Sequence, residues 1–376
     1  MNQEKMREQI HAGIDRRCAS LASDPYRVQR VLHAARHREG GTAVKKRIPR
    51  IAVVLMILLA LGLTTAVAAG VVWRRGLDDL LQVTDSTREH YQSTDLFSTP
   101  GMSVTRGDVT VTLEESIVDT HAAYFAFRVR GWQPAAGQQP DFAAADVACA
   151  GNNYLNVSAG FFDGLVTNDA GQAVYPDGTV PEDYSALNYT DENGDMVYII
   201  RVFSDVGGLI GDTMEVALTD LGVCTDKQGN IEVLHPGTWS FRWELAGTDH
   251  LWHFRSLALD IGDTEATITS VQLSPIHVSM VMNVELTLQQ YRSRSDREDF
   301  IPHFYGVKMK DGTVYGSIAE AGWGAYNSPD PDGKVYEFTY ALNRVIEPAS
   351  VDSFLFLCAG ENGEDVIAEV PFNKLY

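Results

Sequence analysis

The sequence predicts a mainly β protein: two tandem β-sandwich domains outside a membrane, preceded by one transmembrane helix and a short cytoplasmic helical hairpin. Three observations predict it. Residues 51–73, IAVVLMILLALGLTTAVAAGVVW, run without a charge, and as a helix rising 1.5 Å per residue they reach roughly 34 Å, enough to cross a hydrocarbon core of about 30 Å. From Ser98 onward, short runs alternate apolar and polar residues with period two, the spacing of a strand with one buried face. Between those runs lie the turn-forming clusters Asp177-Gly178, Glu192-Asn193-Gly194-Asp195 and Lys227-Gln228-Gly229-Asn230.

Charge sets the orientation. Residues 1–50 carry 12 Lys or Arg against 5 Asp or Glu, a net +7, so residues 51–376 carry −27 of a whole-chain charge of −20. Lys45, Lys46, Arg47 and Arg50 abut the start of the span, and only Arg74 and Arg75 flank its other end. Basic residues are retained in the cytoplasm, which places the N-terminus inside, the bulk outside and Trp73 at the outer headgroup level. Ala66-Val67-Ala68 has the small-x-small form of a signal cleavage site, and cleavage there would release the same outer domains. Fifty residues precede the run, however, and it exceeds the roughly 7 to 15 residues of a signal h-region, so an uncleaved single-pass anchor in the cell membrane is expected.

Inside the membrane, Ile10, Ile14 and Leu21 fall at helical spacing over residues 4–21, with Cys18 close by. Asp24 then offers an N-cap and Pro25 a first helical turn, after which Val28, Val31, Leu32 and Ala35 form a second apolar stripe. Two helices this short cannot bury a core of their own. Ile10, Ile14, Val28, Val31 and Leu32 are therefore the candidate partner-binding residues. The same basic amphipathic segment is equally suited to lying on the anionic inner leaflet. Beyond the span, residues 74–97 place Leu77, Leu80 and Leu81 at helical spacing and then turn polar, as a short juxtamembrane helix or stalk would.

The exterior alternates over 109–113, 124–129, 197–203, 214–218 and 239–245. It also repeats. Gly107-Asp108 leads into VTVTLEESIVDTHAAYFAFRV and Gly262-Asp263, 155 residues later, into TEATITSVQLSPIHVSMVMNVELT, each a strand, a polar break and a second strand. Asp177-Gly178-Thr179-Val180 and Asp311-Gly312-Thr313-Val314 form a second pair of landmarks, followed by Tyr-rich stretches around Tyr198 and from Tyr336 to Tyr340. Two similar β domains are expected, at 98–248 and 255–376, each of ordinary domain size.

The layout of a basic N-terminal segment containing Ile14-Asp15-Arg16-Arg17 and DPYRVQRVL from Asp24 to Leu32, a dibasic stretch, one span and an acidic β-rich exterior resembles a family of uncharacterised bacterial single-span membrane proteins associated with extracytoplasmic-function sigma factors. Ile268-Thr269-Ser270-Val271-Gln272-Leu273-Ser274-Pro275 is similar to the opening of the immunoglobulin-like domain that ends many of them. The resemblance implies a membrane-anchored sensor or regulator, anti-sigma-like, with a cytoplasmic sigma factor as partner, an unknown extracytoplasmic ligand and a C-terminal immunoglobulin-like domain. The zinc-containing anti-sigma type has His followed by Cys-x-x-Cys. Here His11 meets only Cys18, and zinc is not implied.

Motifs that carry chemistry are missing: there is no Gly-x-Ser-x-Gly, His-Glu-x-x-His or phosphate-cradling glycine loop, and the ten His are scattered. The expectation is a protein that is not an enzyme, with no cofactor and no metal. Its negative exterior argues against direct nucleic-acid binding. Asp191-Glu192-Asn193-Gly194-Asp195 resembles the start of a calcium loop but lacks its spacing and closing Glu, so a hairpin turn is expected. Trp239, Phe241, Trp243 and Leu245 alternate with polar residues as the buried face of a strand does, rather than as a platform for sugars. Residues 291–300 read as a charged loop. Three Cys lie outside, Cys149, Cys224 and Cys358; if a bridge forms, the pair to test is Cys149 with Cys224. Two readings of function remain, a transmembrane regulator and a cell-surface binding or scaffold module with a simple anchor.

Overall fold

Where apolar and polar residues alternate, the chain extends into strands. The computed structural model describes residues 76–91, 94–152, 155–183, 187–226, 229–249, 251–261, 264–285, 302–327, 334–359 and 365–371. The span at 51–73 and the hairpin bearing Ile10, Ile14, Val28, Val31 and Leu32 lie outside the described residues, as does 291–300. Among the described residues no helix is long and apolar enough to cross a membrane.

Among the described residues two short helices come first, α1 (Leu77–Leu80) and α2 (Asp85–Tyr91). The first β half then follows with β1 (Phe97–Ser98), β2 (Met102–Arg106), β3 (Val109–Val118), β4 (Ala122–Arg130), β5 (Pro140–Cys149), β6 (Leu155–Phe161), β7 (Val166–Thr167), β8 (Ala173–Val174), β9 (Met196–Ser204), β10 (Thr213–Cys224) and β11 (Ile231–Glu244). The second has β12 (Trp252–Ile261), β13 (Thr264–Leu273), β14 (His277–Glu285), β15 (His303–Met309), β16 (Val314–Tyr315), β17 (Ala319–Asn327), β18 (Val335–Leu342), β19 (Val351–Ala359) and β20 (Asp365–Pro371).

The first half pairs a sheet of order β1-β3-β4-β9-β6, with β2 also on β3, with a sheet of order β11-β10-β5. The second pairs β12-β13-β14-β18-β17 with β16-β15-β19-β20. These orders are the same order twice. Strands β2, β3, β4, β5, β6, β9, β10 and β11 correspond in sequence and in neighbours to β12, β13, β14, β15, β17, β18, β19 and β20. Gly107-Asp108 forms the β2–β3 turn; Gly262-Asp263 lies outside the described residues, but β13, which follows it in sequence, corresponds to β3. The second pair of landmarks does not mark equivalent places. Asp177-Gly178 follows β8, whereas Asp311-Gly312 joins β15 to β16. They look alike because each is the same local device: Asp177 Oδ1 accepts the Thr179 N–H at 2.9 Å and Asp311 Oδ1 the Thr313 N–H at 2.8 Å.

Each half encloses its own apolar core between its sheets. In the first, Phe125, Phe127, Phe142, Tyr198 and Trp239 are buried together, and the Trp239 indole donates to the Val109 carbonyl at 3.3 Å. Phe241 and Leu245 join them, and Trp243 meets Phe125 edge-on at 5.0 Å, so the aromatic row of β11 is core. In the second, Met280, Phe304, Phe338, Phe354 and Phe356 do the same. Two strands, β4 and β9, depart from the alternating pattern. On β4, Ala123, Phe125, Phe127 and Val129 face the core, yet Ala122, Tyr124 and Ala126 on the other face are buried too. That face is covered by a third apolar layer rather than water, which is what removes the polar half of the alternation.

The cysteines stay apart. Cys149 sits opposite Met214 at the start of β10, and Cys224 ends that strand ten residues later. At about 3.3 Å per residue that is roughly 30 Å, far beyond the Cα separation of about 4.4–6.8 Å that a bridge requires. Cys149 instead donates to Asp212 Oδ2 at 3.0 Å; burial, and then that carboxylate, push its thiol up to about 12. Alkylation of the unfolded chain without reductant should therefore modify Cys149, Cys224 and Cys358 alike, and a linked Cys149–Cys224 peptide in the mass spectrum would contradict this geometry.

Candidate functional site: the seam between the β halves

The third apolar layer begins with an anomaly in β3. Its inward register runs Val109, Val111, Leu113 and then Glu115 before Ile117. A β-bulge between Leu113 and Glu115 in the pairing with β4 turns the strand, so Val111 and Leu113 enter the first core while Ile117 faces the seam. Glu115, 6% exposed, accepts the Leu77 N–H through Oε2 at 3.1 Å, at the first residue of α1. Burial raises its pKa to about 7; the Leu77 N–H lowers it, Glu114 raises it, and Arg128 and Arg88 lower it.

The helices that follow are held from both sides. Leu77 and Leu81 are fully buried beside Tyr124, Ile117 and Val197 of the first half and Ile276, Ala341 and Val345 of the second. Asp78 and Arg88 pair across α1 and α2, and Thr84 Oγ1 accepts the Thr87 N–H at 3.2 Å at the start of α2. Tyr91 donates its hydroxyl to the Ile346 carbonyl at 3.1 Å, Val345 N–H bonds the Leu81 carbonyl at 2.9 Å, and Tyr124 donates to the Leu342 carbonyl at 2.8 Å. Arg344 lies 4.4 Å over the Tyr315 ring, reaches Asp169 at 2.9 Å and donates to Gln82 Oε1 at 3.1 Å.

At the centre of the seam two equivalent turns meet. The β3–β4 turn, Asp119-Thr120-His121, is closed by Asp119 Oδ1 accepting the N–H groups of His121 and Ala122 at 2.8 and 2.7 Å. The β13–β14 turn, Ser274-Pro275-Ile276, is closed by Ser274 Oγ accepting those of Ile276 and His277 at 3.1 and 2.8 Å. Asp119 Oδ2 then takes the Ser274 hydroxyl and lies 2.5 Å from His277 Nδ1, with the Asp119 and His277 side chains wholly buried. The His121 ring stands 4.7 Å from that of His277 and directs Nδ1 to the Ser204 carbonyl at 2.9 Å. A carbonyl only accepts, so His121 Nδ1 carries the proton.

Burial alone would raise the Asp119 pKa. The His277 ring, the Ser274 hydroxyl and the Ala122 N–H outweigh it and hold the carboxyl below its usual range. Burial and the neighbouring His277 ring lower His121. Serine, histidine and aspartate meet here, but not as a nucleophile with its base: Ser274 gives its proton to the carboxylate rather than to the imidazole, in a place closed to solvent. The arrangement positions the two halves.

The loop at 191–195 is a turn between the bridged residues Thr190 and Met196, with Gly194 N–H on the Asp191 carbonyl at 3.0 Å. Its carboxylates are taken by Arg128, 3.0 Å from Asp191, and Arg130, 2.8 Å from Asp195. Among the described residues no group of three or more His, Cys, Asp or Glu is arranged to hold a metal ion. An open groove of about 580 Å³ is lined by Asp169, Tyr305, Val314 and Ile367 and by Lys308 and Glu369, which pair at 2.8 Å. None of the candidate partner-binding residues falls among those described. Sequence reasoning passed over Glu115, Asp119, Ser274 and His277, although an acid on the apolar register of β3 was a visible signal.

No family model and no curated protein matches the chain. Among solved structures it is similar to one described as the crystal structure of the conserved domain protein from Bacillus anthracis, at 12% identity over 76% of this chain and 92% of that one, with a TM-score of 0.41. It is also similar to a chain described as BspA_C_mut, at 12% identity over 68% and 92%, with a TM-score of 0.13. Likenesses at these TM-scores carry no argument about fold or activity.

Proposed function

We propose that the chain is a single-pass membrane protein with a cytoplasmic N-terminus, acting as an extracytoplasmic sensor that regulates, in the manner of an anti-sigma factor, a partner held by residues 1–50. The observation that carries this reading is the seat of α1 and α2. A tether requires only a flexible connection, yet the first described residues after the span pack between both β halves, with Tyr91 donating a hydrogen bond to the second and Leu81 accepting one from it. In this reading a change in how the halves pack is felt by residues 76–91, the first described residues that follow the proposed span in sequence. The outer domains are immunoglobulin-like in this reading, supported by strands β3-β4-β9-β6 facing β5-β10-β11, the A-B-E-D and C-F-G order of a constant-type domain, and by the same order in the second half. The acidic exterior and basic N-terminal segment support the orientation.

The test is capture from cells. Full-length chain should co-purify a sigma factor, and changing Ile14, Val28 and Leu32 to Asp should abolish that capture while leaving membrane insertion intact. Protease added to spheroplasts should digest the β halves and spare a small N-terminal fragment. Capture indifferent to all three substitutions, or protection of the β halves, overturns the reading. A surface-binding module with a simple anchor is the second reading, favoured by the open groove and the half-exposed Val314 and Ile367 on its rim.

A further inference from the structure

Glu115 is a buried acid placed on the first described residues after the proposed span. Its Oε2 holds the Leu77 N–H, and Gly76 fits so closely that a Cβ there would lie 2.9 Å from the same oxygen. The charged groups around it among the described residues are Glu114 on β3, Arg128 on β4, Arg88 on α2 and Asp78 on α1. Both cations favour the charged form of Glu115 but are shared with other anions. Arg128 binds Glu114 at 2.6 Å and Asp191 at 3.0 Å, and Arg88 pairs with Asp78. The carboxyl thus sits in an apolar seam with a backbone N–H as its hydrogen-bond partner, where a full negative charge is poorly compensated.

We propose that Glu115 is a proton-operated clasp on the membrane-proximal helices: its neutral acid form holds α1 in the seam, and its ionisation loosens that seat. The proposal deepens the regulator reading by naming external acidity as the stimulus, and it rests on that reading only for where the signal goes. Burial raises the carboxyl to about 7, against 4.5 when freed. A group whose folded pKa is raised stabilises the closed form most below its free value, and this contribution is lost as pH climbs from 4.5 through about 7. Acidification of the exterior therefore tightens the clasp, and neutral to alkaline conditions release it.

Hydrogen exchange on the full chain in detergent micelles, corrected for the intrinsic pH dependence of exchange, reads the seat directly. Amides in 77–91 should be protected on the order of tenfold more at pH 5.5 than at pH 7.5, with β4 amides unchanged. In Glu115→Gln, which keeps an acceptor for Leu77 and cannot ionise, protection of 77–91 should no longer depend on pH. Glu115→Asp, with a shorter reach, should lower protection at both pH values and keep the slope, and it serves as the measurement should the glutamine variant not fold. Equal wild-type protection at the two pH values, or a slope that survives in Glu115→Gln, overturns the clasp. Sigma-factor capture at the same two pH values forms a separate arm: a pH-dependent seat with capture that never responds overturns the regulator reading and leaves the clasp standing.

Discussion

Asp119→Ala should destabilise the protein by about 3–5 kcal/mol, read as a shift of its urea midpoint, because the substitution strips the acceptor from four donors at once, three of them buried. The Ser274 hydroxyl, the His277 ring and the N–H groups of His121 and Ala122 all converge on this one carboxylate. Asp119→Asn should fall between wild type and alanine, since one amide oxygen can still close the β3–β4 turn. The Asp119 pKa is depressed below 3.8, so its contribution is present above that value and lost only as pH falls through the lower folded one. A loss below about 1 kcal/mol would show that the seam tolerates an empty joint.

Leu81→Asp should act at the other end of the seam and more severely on its helices. Leu81 is fully buried, and its carbonyl receives the Val345 N–H at 2.9 Å, so a carboxylate there would be a buried charge without a cation. A loss of about 4–5 kcal/mol is expected. The measurement is exchange across the whole chain: amides in 77–91 should lose protection first, followed by those of β18, whose Ala341 and Leu342 face or bond the seam. Protection of 77–91 unchanged in Leu81→Asp would mean that the helices do not depend on the seam for their order.

Much of the fold could be read from residue order because strand patterning is local. The alternation of Val109, Val111 and Leu113, the Trp239 row and the two Gly-Asp pairs placed β3, β11 and the repeat where they are found. The Asp177 and Asp311 landmarks misled because an aspartate closing its own turn needs only two residues of context and reports nothing about position in the fold. The seam could not be read at all. Asp119 and Ser274 are 155 residues apart, and each has a sufficient local role in closing its own turn, so nothing in either neighbourhood announces the other. Leu77, Leu80 and Leu81 gave helical spacing but not the layer they complete, since one apolar stripe fits lipid, a partner or a sheet equally well.

The meeting of equivalent turns also decides which half can recognise which. Both turns close on themselves in the same way, but one offers an anion and the other offers a hydroxyl and an imidazole. Two first halves brought together at this point would set Asp119 against Asp119, two buried like charges with no cation between them. Two second halves would bring no carboxylate to the Ser274 hydroxyl and the His277 ring, and would leave the buried His277 Nε2, already without a partner, no better served. Only unlike halves bring the carboxylate to the hydroxyl and the ring, so two halves that share one strand order fit each other as a lock and its key within one chain. A neighbouring copy of the protein, arriving at the same surface, finds the key already turned.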